Sequence, residues 1–126
     1  MTINDLTVLV CDDSILARKQ LMNFLISIGC TNIIEAANGT MAVEIYKSQK
    51  PDLVFLDIVM PEKNGIEATR EIMEYDKDAY IVMASSVGTQ TNLREALKLG
   101  AKDFIQKPLN TAQIQKVLDT IIEGGC

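Results

Sequence analysis

The sequence predicts a doubly wound α/β fold: a five-stranded parallel sheet with helices on both faces. Two observations carry this expectation. Five short apolar, β-branched runs recur along the chain, and segments with helical apolar spacing separate them. Strand and helix alternate throughout, the order that gives parallel neighbours through right-handed crossovers.

The strand runs are 7–11, 33–36, 53–57, 80–84 and 104–106. The first, third and fourth are nearly continuous apolar runs, as buried central strands should be. The second, read from Asn32, carries Glu35 and suits an edge. The first helix has an apolar face of Ala17, Leu21, Leu25 and Ile28. The second shows Ala42, Ile45 and Tyr46; the third Ile66, Ile72 and Met73; the fourth Leu93, Ala96 and Leu97. The fifth has the cleanest stripe, Ile114, Val117, Leu118, Ile121 and Ile122. Stop signals agree. Gly29 and Gly100 fall where the first and fourth helices should end, Pro51 follows the second, and Asn64-Gly65 supplies a turn before the third.

A chain of 126 residues is one domain by length, and such a domain removes roughly two-thirds of its unfolded surface from water. The composition is 48% hydrophobic and 23% charged, ordinary for a globular protein. A net charge of −5 and a pI near 4.6 argue against nucleic-acid or anionic-membrane partners, which need a basic surface. The N-terminus has no basic region before its short apolar run, so neither a signal peptide nor a membrane span is expected. Cys11, Cys30 and Cys126 fit neither a zinc site nor a disulfide framework; Cys11 reads as a buried thiol, and the expected compartment is reducing. With no histidine, chemistry by a His base, nucleophile or metal ligand is excluded.

Ligands of open parallel sheets bind at the carboxyl ends of the strands. There the first strand runs into Asp12-Asp13, the third ends in Asp57, the fourth runs into Ser85-Ser86 and the fifth into Lys107-Pro108. Three carboxylates in one pocket repel, each pair by about 4 kcal/mol at ~4 Å and an effective dielectric of about 20. Either protons or a cation must relieve this. An all-oxygen donor set points to a hard ion, Mg²⁺ rather than Zn²⁺. Lys107 and the Ser85 hydroxyl would then meet phosphoryl oxygens, and Asp57 would be the nucleophile, forming an acyl phosphate. Plainer roles stand beside these. Asp12-Asp13-Ser14 has the composition of a helix cap, Asp57 of a turn residue and Ser85 of a loop hydroxyl. Lys107 would pass for a solvated lysine, and Phe104 for a core residue.

The quartet Asp12-Asp13, Asp57, Ser85 and Lys107-Pro108 resembles the signature of two-component response-regulator receiver domains, over about residues 6–122. The runs 56–61 with Gly65, 82–86 and 100–108 resemble that family's phosphorylation-site loop, switch-hydroxyl segment and fifth strand. The resemblance implies a flavodoxin-like strand order, 2-1-3-4-5. It also implies a single receiver domain over 1–126 with no output domain, closest to CheY-like chemotaxis regulators. By the same resemblance, Asp57 takes a phosphoryl group from the phosphohistidine of a CheA-like histidine kinase. Asp13 and Asp57 bind Mg²⁺ directly, Asp12 acts largely through water, and the Val59 backbone carbonyl is a further ligand. Ser85 moves toward the phosphoryl group, Phe104 swings into the space it leaves, and Lys107 pairs with the phosphoryl group. The Lys107–Pro108 bond is expected to be cis. A downstream target, such as a flagellar motor switch, would dock on the face of the fourth helix, fifth strand and fifth helix, where Gln90, Arg94, Lys98 and Gln113 are candidate contacts. A cytoplasmic monomer is expected.

The chain departs from the family pattern in having Ser85 where Thr is commoner and Phe104 where chemotaxis members often have Tyr. Val59 and Val87 should flank the phosphoryl group, and neither can orient an attacking water, which predicts slow autodephosphorylation. Three other readings compete. A receiver domain cut from a DNA-binding regulator would share the pocket. A Mg²⁺-dependent aspartate phosphohydrolase would want a general acid where Val59 stands. A flavin carrier of this fold would have to bring its phosphate against Asp12 and Asp13.

Overall fold

The structure, a computed structural model, describes residues 2–58, 60, 63–85, 90–106 and 110–124; of these, the side chains of Ser85, Gln90 and Thr91 are not described. After a short 3-10 turn, Ile3–Asp5, strands and helices alternate without exception among the described residues. The strands are β1 Thr7–Cys11, β2 Asn32–Ala36, β3 Leu53–Asp57, β4 Ile81–Ser85 and β5 Asp103–Gln106. The helices are α1 Ile15–Ser27, α2 Gly39–Gln49, α3 Gly65–Tyr75, α4 Gln90–Leu99 and α5 Thr111–Gly124. All four pairings are parallel, in the order β2-β1-β3-β4-β5, as expected.

The two faces of the sheet follow from the strand period of two. Leu9, Val54, Leu56, Ile81 and Met83 point into one core with Ala42, Val43 and Tyr46 of α2, Ile66 and Ile72 of α3, and Ala96 of α4. Val8, Val10, Leu53, Phe55, Val82 and Ile105 point into the other, against Leu21 and Leu25 of α1 and Ile114, Val117, Leu118 and Ile121 of α5. Each large side chain so buried contributes roughly 1.5–3 kcal/mol. β1, β3 and β4 have a core on each face, which is why their sequences are almost wholly apolar. β2, on the edge, leaves its first four residues partly or fully open to solvent.

Capping follows the sequence signals. The side chains of Ser14, Asn38 and Asn64 accept hydrogen bonds from the Ala17, Met41 and Glu67 backbone N–H groups. Gly29 and Gly100, with φ of 111° and 126°, take the left-handed turns that close α1 and α4.

Two expectations, and one of the plainer readings, need correction. β4 runs one residue later than the apolar pattern suggested, starting after Tyr80 and including Ser85. Leu97 is 40% exposed instead of lying on the buried face of α4. At about 100° per residue, Leu93 and Leu99 flank the buried Ala96 by about 60° on either side, while Leu97 stands about 100° away; it is Leu99 that packs on the core. Phe104 is 36% exposed rather than a core residue, because β5 turns only Ile105 fully inward.

Candidate functional site

The site lies where β1 and β3 end side by side. Cys11 sits opposite Leu56 in the register, so the residues that follow, Asp12 and Asp57, stand side by side at the carboxyl ends of the two strands. Asp13 follows at the rim. Carboxylate oxygens of Asp12, Asp13 and Asp57 all lie within 4.8 Å of one another. Asp12 and Asp57 are buried and Asp13 is exposed, so the cluster opens to solvent on one side. At such a distance two ionised carboxylates repel by about 3 kcal/mol at an effective dielectric of about 20.

The neighbouring thiol does not join the donor set. Cys11 donates from Sγ to the Asn38 carbonyl oxygen at 3.3 Å and touches Met60 Sδ at 3.4 Å. Burial first, then the charges of Asp12 and Asp57, push this thiol up to about 12. It therefore stays protonated and behaves as a small apolar group. Three carboxylates without a thiolate or imidazole suit a hard divalent cation.

The surrounding backbone is fixed from several directions. Asp12 N–H donates to the Ala36 carbonyl at 3.2 Å, and Asp12 Oδ1 accepts from Ser14 N–H at 2.9 Å. Ser14 thus caps α1 while Asp12 holds the turn before it, so the cap leaves the Asp12 and Asp13 carboxylates in the acidic cluster. The Arg18 guanidinium donates through Nη1 to the Asp12 carbonyl oxygen and through Nε to Glu35 Oε1 at 3.0 Å. Lys19 Nζ stands 3.5 Å from the other Glu35 oxygen. The Arg18 hydrogen bond is the main reason the Glu35 carboxyl lies below the ordinary carboxylate range.

Beyond Asp57, Gly65 N–H donates to the Ile58 carbonyl at 2.8 Å, bringing the start of α3 against the end of β3. Gly39 N–H donates to the Lys63 carbonyl at 3.1 Å and ties the same loop to α2. The loop is therefore fastened on both sides of its described part.

Of the residues singled out in the sequence, Asp12, Asp13 and Asp57 come together. Ser85 ends β4 one position beyond Ala84, the partner of Asp57, and so stands at the same sheet edge. Gln106, which precedes Lys107, pairs with Ser85. Val59, Val87, Lys107, Pro108 and Cys126 lie outside the described residues. On the other face of interest, Arg94 and Lys98 are exposed, and Gln113 Oε1 accepts from Gln106 N–H at 3.4 Å. Sequence reasoning missed Arg18 and Glu35. An Arg in the first turns of a helix carries no motif, and its partner is placed beside it only by the β1–β2 pairing.

The chain matches the family of response regulator receiver domains over residues 8–119. It is 44% identical over 114 residues to the chemotaxis protein CheY of Thermotoga maritima, covering 90% of this chain and 95% of that one. It is 43% identical over 114 residues to CheY of Bacillus subtilis, covering 90% and 92%. Among solved structures it is similar to a chain of the CheX–CheY–BeF3–Mg²⁺ complex of Borrelia burgdorferi, with a TM-score of 0.86, 39% identity and coverage of 93% and 89%. The chain belongs to the response-regulator receiver domain family. It is a phosphorylation-activated signalling switch, a phosphoacceptor rather than a classical enzyme. Membership implies a histidine-kinase phosphodonor and a downstream target. No helix among the described residues is long and apolar enough to cross a membrane.

Proposed function

We propose that Asp57 is the phosphoacceptor of a chemotaxis switch. The observation that carries this reading is the cluster of Asp12, Asp13 and Asp57 oxygens within 4.8 Å at the ends of β1 and β3. An Asp57 carboxylate oxygen attacks the phosphorus of a phosphohistidine on a CheA-like kinase. The new P–O bond forms as the P–N bond breaks, and its electron pair leaves on the imidazole nitrogen. Asp13 and Asp57, with Asp12 through water and the Val59 carbonyl, would hold Mg²⁺, whose charge would offset that gathering on the phosphoryl oxygens. Lys107 and the Ser85 hydroxyl complete the phosphoryl contacts, and Val59 and Val87 limit access of water to the acyl phosphate.

The readout couples Ser85 to Phe104 and reaches a target, such as a flagellar motor switch, through α4, β5 and α5. Two exposed apolar side chains on that face, Leu97 and Phe104, support this assignment. Residues 1–126 act as a single receiver domain, a cytoplasmic monomer with no nucleic-acid partner. The similarity to CheY proteins over nearly their whole length supports the chemotaxis role over that of a domain cut from a transcriptional regulator.

Phosphotransfer from a radiolabelled CheA-like kinase tests the proposal. Label should pass to the parent protein and not to Asp57→Asn. Label on the variant, or on neither protein, contradicts it.

A further inference from the structure

We infer that Arg18 is a positioning residue for the acidic pocket, holding the Asp12-Asp13 turn in the arrangement that binds a divalent cation. This rests on the proposed role of that pocket. Arg18 leaves only 12% of its side chain exposed, unlike its neighbour Lys19 at 55%. Its planar fork joins two groups that nothing in the local sequence brings together, the Asp12 carbonyl and the Glu35 carboxylate of β2.

The carbonyl is the important one. It belongs to the peptide group linking Asp12 to Asp13, so pinning it fixes the plane from which the Asp13 side chain departs. Asp13 is exposed and has no core packing to orient it. Glu35 anchors the guanidinium to the sheet edge, and Lys19 holds the second Glu35 oxygen. Charge is also arranged to suit a cation. Arg18 alone would oppose Mg²⁺, but the Glu35 carboxylate beside it balances that charge. What remains is geometry, which an arginine supplies through separate donors on one rigid plane and a lysine does not.

Isothermal titration of Mg²⁺ into the full-length parent, Arg18→Lys, Arg18→Met and Glu35→Gln distinguishes geometry from charge. Melting in EDTA identifies the temperature at which each protein is folded. Removal of an outer support of this kind weakens metal binding by about tenfold or more. Arg18→Lys and Arg18→Met should both show that loss, although Lys keeps the charge. Glu35→Gln should weaken binding in the same direction, because it loosens the anchor and unbalances the Arg18 charge. A purely structural arginine would lower the melting temperature and leave the Mg²⁺ dissociation constant of the folded variants unchanged, and that result overturns the inference. Should the Arg18 variants not fold, parental affinity in Glu35→Gln overturns it equally. A parent that binds no Mg²⁺ sinks the pocket reading and this inference with it.

Discussion

The α-carbon of Gly65 is pressed against the backbone of Asp57: a β-carbon there would stand 2.2 Å from the Asp57 carbonyl oxygen and 2.9 Å from the Ile58 α-carbon. The glycine is needed for space, since it is the first residue of α3 and its φ is not positive. It lets α3 start directly beside the strand end that carries Asp57.

Gly65→Ala should therefore displace backbone, not merely a side chain. Overpacking of this kind destabilises by about 3 kcal/mol or more when no flexible atom can yield. Urea melts of parent and variant check this, and the folded fraction should phosphorylate more slowly because Asp57 has moved. Parental stability in the variant contradicts the close packing.

Cys11 should resist alkylation. Its thiol, raised to about 12 by burial and the neighbouring aspartates, is almost wholly protonated near neutral pH and shielded by Asn38 and Met60. Iodoacetamide at mildly alkaline pH should leave the Cys11 peptide unmodified in the native protein and label it fully in urea. Native labelling at the rate of a free thiol contradicts the burial.

The Arg18–Glu35 pair should contribute to stability only where Glu35 is ionised. The folded state lowers this carboxyl from its ordinary 4.5, so it stabilises above that value, and the contribution fades as pH falls through the lowered folded value. Glu35 is 34% exposed, so screening limits the effect to about 1 kcal/mol or less. Parent and Glu35→Gln should differ near neutral pH and converge below 4.5 in parallel denaturation series. A difference that persists into acid contradicts the ionic origin.

Val59 and Val87 set the expectation of slow autodephosphorylation. A Val59→Asn, Val87→Glu double variant should lose its phosphoryl group faster, by about tenfold, because polar side chains can orient water. Decay at the parental rate would mean that the two valines do not control access.

Much of this was legible in the sequence for a physical reason. Central strands must be apolar on both faces, so the runs ending at Cys11 and Asp57 marked two strand ends, and the acids there stood out. The edge position of β2 and the capping residue Ser14 follow from equally local signals, whereas the strand order is carried by the resemblance to receiver domains. What depends on geometry across the sheet did not. The Arg18–Glu35 contact spans 17 positions and exists only because β2 pairs with β1. Asn64-Gly65 read as a turn, whereas the steric demand on Gly65 comes from Asp57. Leu97 read as core from its spacing of four to Leu93, but its angular distance from the buried Ala96 puts it outside.

The most direct test of the central claim is intact mass after incubation with acetyl phosphate, with Mg²⁺ or with EDTA, for the parent and Asp57→Asn. The account predicts addition of one phosphoryl group to the parent, dependent on Mg²⁺ and absent from the variant. An unmodified parent in Mg²⁺, or equal addition to Asp57→Asn, would contradict it.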